Sequence, residues 1–152
     1  MTTMTMTHST DQIQAAIVET FKTLPDWDSR YKHIIQLGKQ LPNMADADKT
    51  ADNIVKGCQS QVWMTASLND DGTITFIADS DAVIVRGLIS LILRLYSGQT
   101  PQTILETRPS FIDDIEMTQH ISAQRSNGLH AMIKQIKYYA LAFKAIQQRQ
   151  QA

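Results

Sequence analysis

Apolar side chains recur every three to four residues near both ends of the chain and every second residue in its middle. The first spacing is typical of helices with one buried face, and the second of strands with one buried face. A helix is therefore predicted from Ser9 or Thr10 to Pro25, and a second helix from Asp26 to Pro42. The residues predicted to face the core are Ile13, Ala16, Ile17, Phe21 and Leu24 in the first helix and Tyr31, Ile34, Ile35 and Leu41 in the second.

The middle of the chain is predicted to form a β-hairpin. Residues 62–68 alternate between apolar and polar side chains, and residues 73–79 form the returning strand. The residues between them, Asn69 to Gly72, suit a tight turn because Asn and Gly tolerate positive φ. A third short strand is predicted at Ile54-Val55, and Trp63 is predicted to belong to the core.

The second half of the chain is predicted to be helical. A strongly apolar helix follows the hairpin, capped by Asp79 or Ser80, and its wide apolar arc predicts that it packs on the sheet. Thr100-Pro101 predicts the cap and first residue of a short helix, Pro109 precedes another, and a long helix begins near Ser126. The inner stripe of the long helix is predicted to be Leu129, Met132, Ile133, Ile136, Phe143 and Ile146.

The predicted strands and helices together form a single α+β domain with a small three-stranded antiparallel sheet backed by helices. The chain has 152 residues, 43% of them hydrophobic, which predicts one domain at residues 10–148 after a disordered tail at residues 1–9. Its 14 basic and 15 acidic residues form no basic stripe, so nucleic acid is not expected as a partner. The longest apolar run, residues 88–95, is interrupted by Ser90 and Arg94, so no membrane partner is expected. A single cysteine without an export signal favours a cytoplasmic location.

Cys58 is the chain's only cysteine, which excludes an internal disulfide and any site built from several cysteines of this chain. It lies between Gly57 and three polar residues, Gln59, Ser60 and Gln61. Free cysteine is often a small buried apolar residue, but these polar neighbours are costly to bury. The residues alone therefore favour a packing role and a reactive thiol about equally.

A reactive thiol needs help to ionise, because a free cysteine has a pKa near ~8.5. Lys56 is the nearest cation in sequence, and Arg125, His33 and His120 are further candidates that only the fold can bring close. Metal binding is poorly supported, because the four histidines are scattered singly along the chain. A cysteine hydrolase would need a histidine base, and no local signature of one surrounds Cys58.

The segment Gly57-Cys58-Gln59-Ser60-Gln61-Val62-Trp63 resembles the hallmark of the SufE family of sulfur-acceptor proteins. The other segments that resemble landmarks of that family are residues 31–42, 79–88, 100–102 and 122–129. Together these matches cover nearly everything from Ile13 to Phe143. The resemblance implies a fold similar to the IscU-type scaffold, and it extends to the related CsdE branch, which shares these motifs.

The resemblance also implies a function. Family members accept sulfur, on the residue that matches Cys58, from the persulfide of a pyridoxal-phosphate cysteine desulfurase of the SufS or CsdA type. They stimulate that desulfurase and pass the sulfur on to an iron–sulfur scaffold or another acceptor for cluster assembly. The chain itself is then expected to be a carrier rather than an enzyme, without cofactor or metal, as a monomer or a homodimer. The alternatives are a cysteine-dependent thiol enzyme, redox or hydrolase, and a purely structural interaction module.

Five residues are candidates for supporting Cys58. Gly57 is the expected hinge of a loop that shelters the sulfur at rest and extends it when a partner docks. Gln59 and Ser60 are expected either to donate hydrogen bonds to the sulfur or to stabilise the turn. Asp81 is expected to cap or charge the start of the central helix, or to tune the loop or the docking surface. Arg125 is expected to meet a carboxylate, on the desulfurase or nearby, or to face solvent.

Overall fold

The computed structural model describes residues 9–151, in which helices surround a small antiparallel sheet. The helices are α1 (Thr10–Lys22), α2 (Trp27–Gln40), α3 (Val83–Tyr96), α4 (Pro101–Glu106), α5 (Phe111–Asp114) and α6 (Ala123–Gln151), and the strands are β1 (Val62–Leu68) and β2 (Ile74–Ser80). The predicted tail, residues 1–9, lies outside the described residues except for Ser9. None of the helices in the described range is long and apolar enough to cross a bilayer.

Most of the helices begin where the sequence predicts, because polar side chains satisfy the free N–H groups of their first turns. Ser9, Asp26 and Thr100 cap α1, α2 and α4 in this way. The long helix α6 begins three residues earlier than the predicted Ser126. The reason is Ser122, whose side-chain oxygen accepts the backbone N–H of the third residue after it at 3.2 Å.

The predicted cap of the central helix is wrong. Asp79 and Ser80 are the last residues of β2, and α3 begins after Ala82 without a side-chain cap. The carboxylate of Asp79 is engaged elsewhere, because it accepts the backbone N–H of Met44 at 2.9 Å and pairs with the guanidinium of Arg86 on α3. This buried ion pair ties the segment after α2 to the junction between the sheet and α3.

The sheet has two strands in the described part of the chain, so the predicted third strand is wrong. Residues 62–68 pair with residues 74–80 in antiparallel register, and the predicted strand at Ile54-Val55 contributes only an isolated bridge to Trp63. The chain turns away two residues after that bridge, which leaves no length for a ladder. Trp63 is half-buried and lies outside the core cluster, against the prediction, because it is on the face of β1 opposite the buried Val62 and Met64. On that face, the ammonium group of Lys49 lies over its ring, 5.5 Å from the centroid.

The core lies between the inner face of the sheet and α3, as the alternation and the apolar arc predict. Its largest fully buried side chains are Tyr96, Phe21, Phe111, Ile17, Ile34, Met64, Ile74, Leu88, Ile89, Ile92, Leu95 and Ile104.

Two predicted core residues are instead exposed. Ala16 is exposed while Gln14 is buried, where its amide bonds to the backbone of α5 and the segment before it. Ile146 is 39% exposed, since Gln147 takes the inward position and donates to the carbonyl oxygen of Gly72.

Helices α2 and α3 cross at close range through two glycines. A Cβ atom at Gly38 would lie 2.2 Å from the carbonyl oxygen of Val83, and one at Gly87 would lie 2.1 Å from that of Ile34. Only glycine permits this approach of two backbones. The contact fixes the start of α3, and this end of α3 supplies the apolar wall of the site described next.

Candidate functional site

Cys58 lies on a short loop beside the first strand. This cysteine loop, residues 56–61, is closed at its base where the backbone N–H of Val55 donates to the carbonyl oxygen of Val62 at 2.8 Å. Gly57 has a φ of +96°, a conformation that side chains other than glycine rarely adopt, and it turns the chain directly before the cysteine. The Cys58 side chain is half-buried and packs against the hydrophobic core.

The thiol lines a pocket of about 320 Å³. The buried lining residues are Val62, Val85, Leu88, Gly128 and Met132, and the more accessible ones are Gln59, Ser60, Ser122, Gln124 and Arg125. Apolar side chains from β1, α3 and α6 therefore meet polar side chains from the cysteine loop and the start of α6. Such a pocket shields a sulfur atom on one side and leaves it reachable on the other.

The resting environment favours the neutral thiol. The Cys58 S–H donates to the backbone carbonyl oxygen of Gly128 on α6, with 3.6 Å between Sγ and the oxygen. Burial raises the pKa of the Cys58 thiol above its ordinary value. Both effects act against ionisation, because a buried thiolate loses hydration and a carbonyl oxygen stabilises only the protonated form. The thiolate that sulfur exchange requires is therefore disfavoured while the loop stays in this position.

The pocket carries positive charge only through Arg125 and the start of α6. Arg125 lies in the first turn of α6, is exposed, and is the only ionic side chain among the described lining residues. The N-terminal end of a helix carries a partial positive charge, and positive charge beside a cysteine favours its thiolate. The structure thus brings Cys58 and Arg125 together in one pocket.

The remaining sequence candidates are distributed around this pocket. Gln59 and Ser60 line it, but neither side chain is among the described hydrogen-bond donors to the thiol sulfur. Asp81 is exposed and does not cap α3, so the expected cap is wrong. It meets the cysteine loop through its backbone, since its N–H donates to the carbonyl oxygen of Gln61 at 3.4 Å. Lys56 lines a separate groove on the other side of the loop.

The described histidines lie away from the pocket. His33 packs edge-on against Phe21 with 5.4 Å between ring centroids, and burial, assisted by the charge of Arg94, lowers the pKa of its imidazole. His120 stacks on Trp27 at 4.3 Å. Neither they nor the third described histidine line the pocket, so the structure places no histidine base there within residues 9–150. In the same part of the chain, no group of three or more His, Cys, Asp or Glu residues could hold a metal ion.

Two contributors to the site had no role in the sequence prediction. The carbonyl oxygen of Gly128 accepts the hydrogen bond of the thiol, and the missing side chain leaves space for the sulfur, since a Cβ atom there would lie 3.5 Å from Sγ. Ser122 sets the start of α6 and so places Arg125 at the pocket. A glycine within a helical stripe signals close packing, but only the fold identifies its partner.

Comparison with known families matches the part of the chain that forms this site. The model of the SufE family, described as an Fe-S metabolism associated domain, matches residues 15–140, which include the whole pocket. The chain belongs to the SufE family. Membership associates the protein with iron–sulfur metabolism. A solution structure of a hypothetical protein from Thermus thermophilus is similar to this SufE-family chain, with a TM-score of 0.72 at 18% sequence identity. The likeness covers 88% of this chain and 96% of that one, and it supports the fold.

Proposed function

We propose that this protein is a sulfur carrier that accepts a persulfide sulfur on Cys58 from a cysteine desulfurase, stimulates that enzyme and passes the sulfur on for iron–sulfur cluster assembly. The observation that carries the proposal is that the only cysteine of a SufE-family chain is held half-buried at a pocket with one accessible side. A carrier needs one thiol, whereas a cluster scaffold needs several ligands. The pyridoxal phosphate that generates the sulfur belongs to the desulfurase.

The proposed transfer is a thiol exchange without net oxidation. The Cys58 thiolate attacks the outer sulfur of the desulfurase persulfide, a new S–S bond forms, and the old S–S bond breaks. The electron pair of the broken bond leaves on the desulfurase cysteine as its thiolate. The proton of the Cys58 thiol passes to solvent or to a base of the complex before attack. Cys58 then carries the extra sulfur and is the donor in the next exchange.

The pocket suits a carrier that must protect its cargo between two partners. A persulfide is readily reduced, so a sulfur enclosed against Val85, Leu88 and Met132 would survive longer than one in water. The same enclosure raises the thiol pKa and disfavours the thiolate, so reaction is favoured outside the pocket. We infer that the cysteine loop swings about Gly57 when the desulfurase docks. Outside the pocket, the thiol loses its bond to Gly128 and regains hydration.

A thiol enzyme fits this site less well. A hydrolase needs a histidine base near the sulfur, and a peroxide-reacting protein needs a cysteine with a lowered pKa. The histidines of the described chain lie outside the pocket, and burial raises the thiol pKa. A carrier needs neither a histidine base nor a lowered thiol pKa in the free protein, because it reacts only in the complex with its partner. The proposed chemistry also needs a reduced thiol, which agrees with the cytoplasmic location that we propose.

The desulfurase itself provides the test of the proposed function. Alanine formation from cysteine should be measured with a desulfurase of the SufS or CsdA type from the same genome, with and without this protein. The unmodified protein is expected to accelerate turnover, because it removes the persulfide that blocks the enzyme. The Cys58→Ser variant should bind without accelerating turnover. Full stimulation by Cys58→Ser would contradict the carrier role.

A further inference from the structure

A second cavity lies on the other side of the cysteine loop. It is a groove of about 650 Å³ between the segment that precedes Cys58 and the outer face of α6. We call it the α6 groove, and the lining residues that matter here are Ile54, Lys56, Gly57, His130, Lys134 and Tyr138. The α6 groove shares no lining residue with the pocket that holds the Cys58 thiol. The two cavities meet at the peptide bond between Gly57, which lines the groove, and Cys58, which lines the pocket.

The α6 groove exposes large apolar side chains. Ile54 is 37% exposed and Tyr138 is 56% exposed, and both line the groove. Leu141, one helical turn beyond Tyr138, continues the same face of α6 and is 57% exposed. Contiguous exposed apolar residues with a polar rim are typical of surfaces that bind other proteins.

Positive charge surrounds these apolar residues. Lys56 and Lys134 are both exposed, and neither forms an ion pair with another residue of the described chain. The ammonium group of Lys134 lies over the ring of Tyr138, 5.7 Å from its centroid. Asp52 is the only acidic residue among the described lining residues. The groove therefore complements carboxylates that flank an apolar or aromatic side chain.

The α6 groove is in direct contact with the backbone that carries the thiol. Gly57 lines the groove, and a Cβ atom at Gly57 would lie 3.2 Å from the Cβ atom of Ala131 on the groove wall. An occupant that fills this end of the groove would contact the turn at which the cysteine loop is proposed to swing. Gly57 thus joins the groove to the residue that carries the thiol.

We propose that the α6 groove is the docking surface for the desulfurase, which places there an acidic segment carrying an apolar or aromatic side chain. Contact of this segment with the Gly57 turn releases Cys58 from its pocket. The proposal rests on the proposed function, which supplies the partner. It assigns the recognition of that partner to Lys56, Lys134 and Tyr138, none of which takes part in the sulfur exchange.

The test measures binding separately from sulfur transfer. The probe is the pyridoxal-phosphate-loaded desulfurase from the same genome, and Kd is measured by titration calorimetry with the full chain and its Lys134→Glu and Tyr138→Ala variants. Each variant is expected to raise Kd by about tenfold, because the first replaces attraction with repulsion and the second removes an aromatic anchor. Lys39→Glu is the matched control, since Lys39 is exposed on α2 outside the groove. Its Kd should stay within about twofold of the unmodified value.

Thermal unfolding and intact mass complete the test. Both groove residues are exposed, so their variants should unfold at the same temperature as the unmodified protein. Equal Kd values for the groove variants and Lys39→Glu, or no binding by the unmodified protein, would overturn the groove assignment. If Cys58 nevertheless gains sulfur, the proposed function stands without the groove. If the groove variants lose binding but Cys58 of the unmodified protein never gains sulfur, the groove stands and the carrier role fails.

Discussion

The Cys58 thiol donates its hydrogen bond to the backbone carbonyl oxygen of Gly128, 70 residues further along the chain. This contact holds the sulfur of the cysteine loop against α6, with 3.6 Å between the two atoms. An acceptor at this position stabilises the thiol and opposes its ionisation. The resting position thus disfavours the thiolate, and the loop movement that we propose would relieve this effect.

Alkylation of Cys58 should report this resting state. The rate of reaction with iodoacetamide is proportional to the fraction of thiolate. The pH at which this rate is half-maximal should therefore be higher in the folded chain than in the urea-unfolded chain. The raised pKa also means that the contribution of Cys58 to stability is complete below the unfolded pKa of ~8.5 and lost as pH rises through the folded pKa. A folded-state midpoint at or below the unfolded one would contradict the shielded thiol.

The Gly128→Ala variant should separate stability from reactivity. A Cβ atom here makes an ordinary contact with Cys58, 3.5 Å from Sγ, so the methyl group fits without displacement. Replacing glycine inside a helix should then stabilise the fold by about 0.5–1 kcal/mol, measured by urea unfolding. The methyl group also covers the sulfur, so alkylation of the folded protein should slow. Faster alkylation in a destabilised chain would place Gly128 away from the thiol.

The Gly57→Val variant tests the hinge. Valine is strained at a φ of +96°, and its side chain would press on Ala131, so the chain should no longer turn at this residue as the proposed hinge requires. Single-turnover transfer of sulfur from the desulfurase to Cys58 should slow by about tenfold, equivalent to ~1.4 kcal/mol of activation free energy. Circular dichroism should show an unchanged fold.

Gly98→Val is the matched control for the hinge variant. Gly98 has a φ of +86°, close to that of Gly57, but nothing lies within 4 Å of a Cβ atom there and the residue is outside the cysteine loop. It should carry similar backbone strain without an effect on sulfur transfer. Equal transfer rates in Gly57→Val and the unmodified protein, or equal slowing in both variants, would remove Gly57 as the hinge.

Local signals predicted much of the fold because they act over a few residues. Ser9, Asp26 and Thr100 cap their helices through side chains within three residues of their targets. The alternation in residues 62–68 identified the buried face of the hairpin, since strand side chains point to opposite faces in turn. These features need no knowledge of the rest of the chain.

Features that depend on distant partners could not be predicted in this way. Aspartate often caps helices, but the carboxylate of Asp79 pairs with Arg86 and accepts the backbone N–H of Met44, 35 residues earlier. Ile54-Val55 has strand propensity, but an early turn prevents a ladder. The carbonyl of Gly128 reaches Cys58 only through the packing of α6. Sequence motifs identified the cysteine, and the fold supplied its surroundings.

The buried pair of Asp79 and Arg86 should make stability depend on pH in the acid range. Burial opposes ionisation of Asp79, but the backbone N–H groups of Met44 and Ser80, together with Arg86, outweigh it and hold the pKa below its ordinary value. A lowered carboxyl pKa contributes stability that is present above the unfolded pKa and lost as pH falls through the folded one. The Asp79→Asn variant should lose about 3 kcal/mol at neutral pH, because it leaves Arg86 without its partner charge.

Urea unfolding at neutral pH and near pH ~3 would measure this contribution. The difference between the two pH values should be smaller in Asp79→Asn than in the unmodified protein. Asp28→Asn serves as control, since Asp28 and Lys32 form an exposed ion pair whose loss should change little. A similar small loss in both variants would mean that Asp79 does not anchor this junction.

The central claim is that Cys58 carries sulfur, and intact mass spectrometry tests it most directly. The protein is incubated with its desulfurase and cysteine, separated without reductant, and weighed. The unmodified chain is expected to gain about 32 Da, one sulfur atom, which dithiothreitol removes, and Cys58→Ser should gain nothing. An unmodified chain that gains no sulfur from any desulfurase of its genome, or an equal gain in Cys58→Ser, would contradict the account.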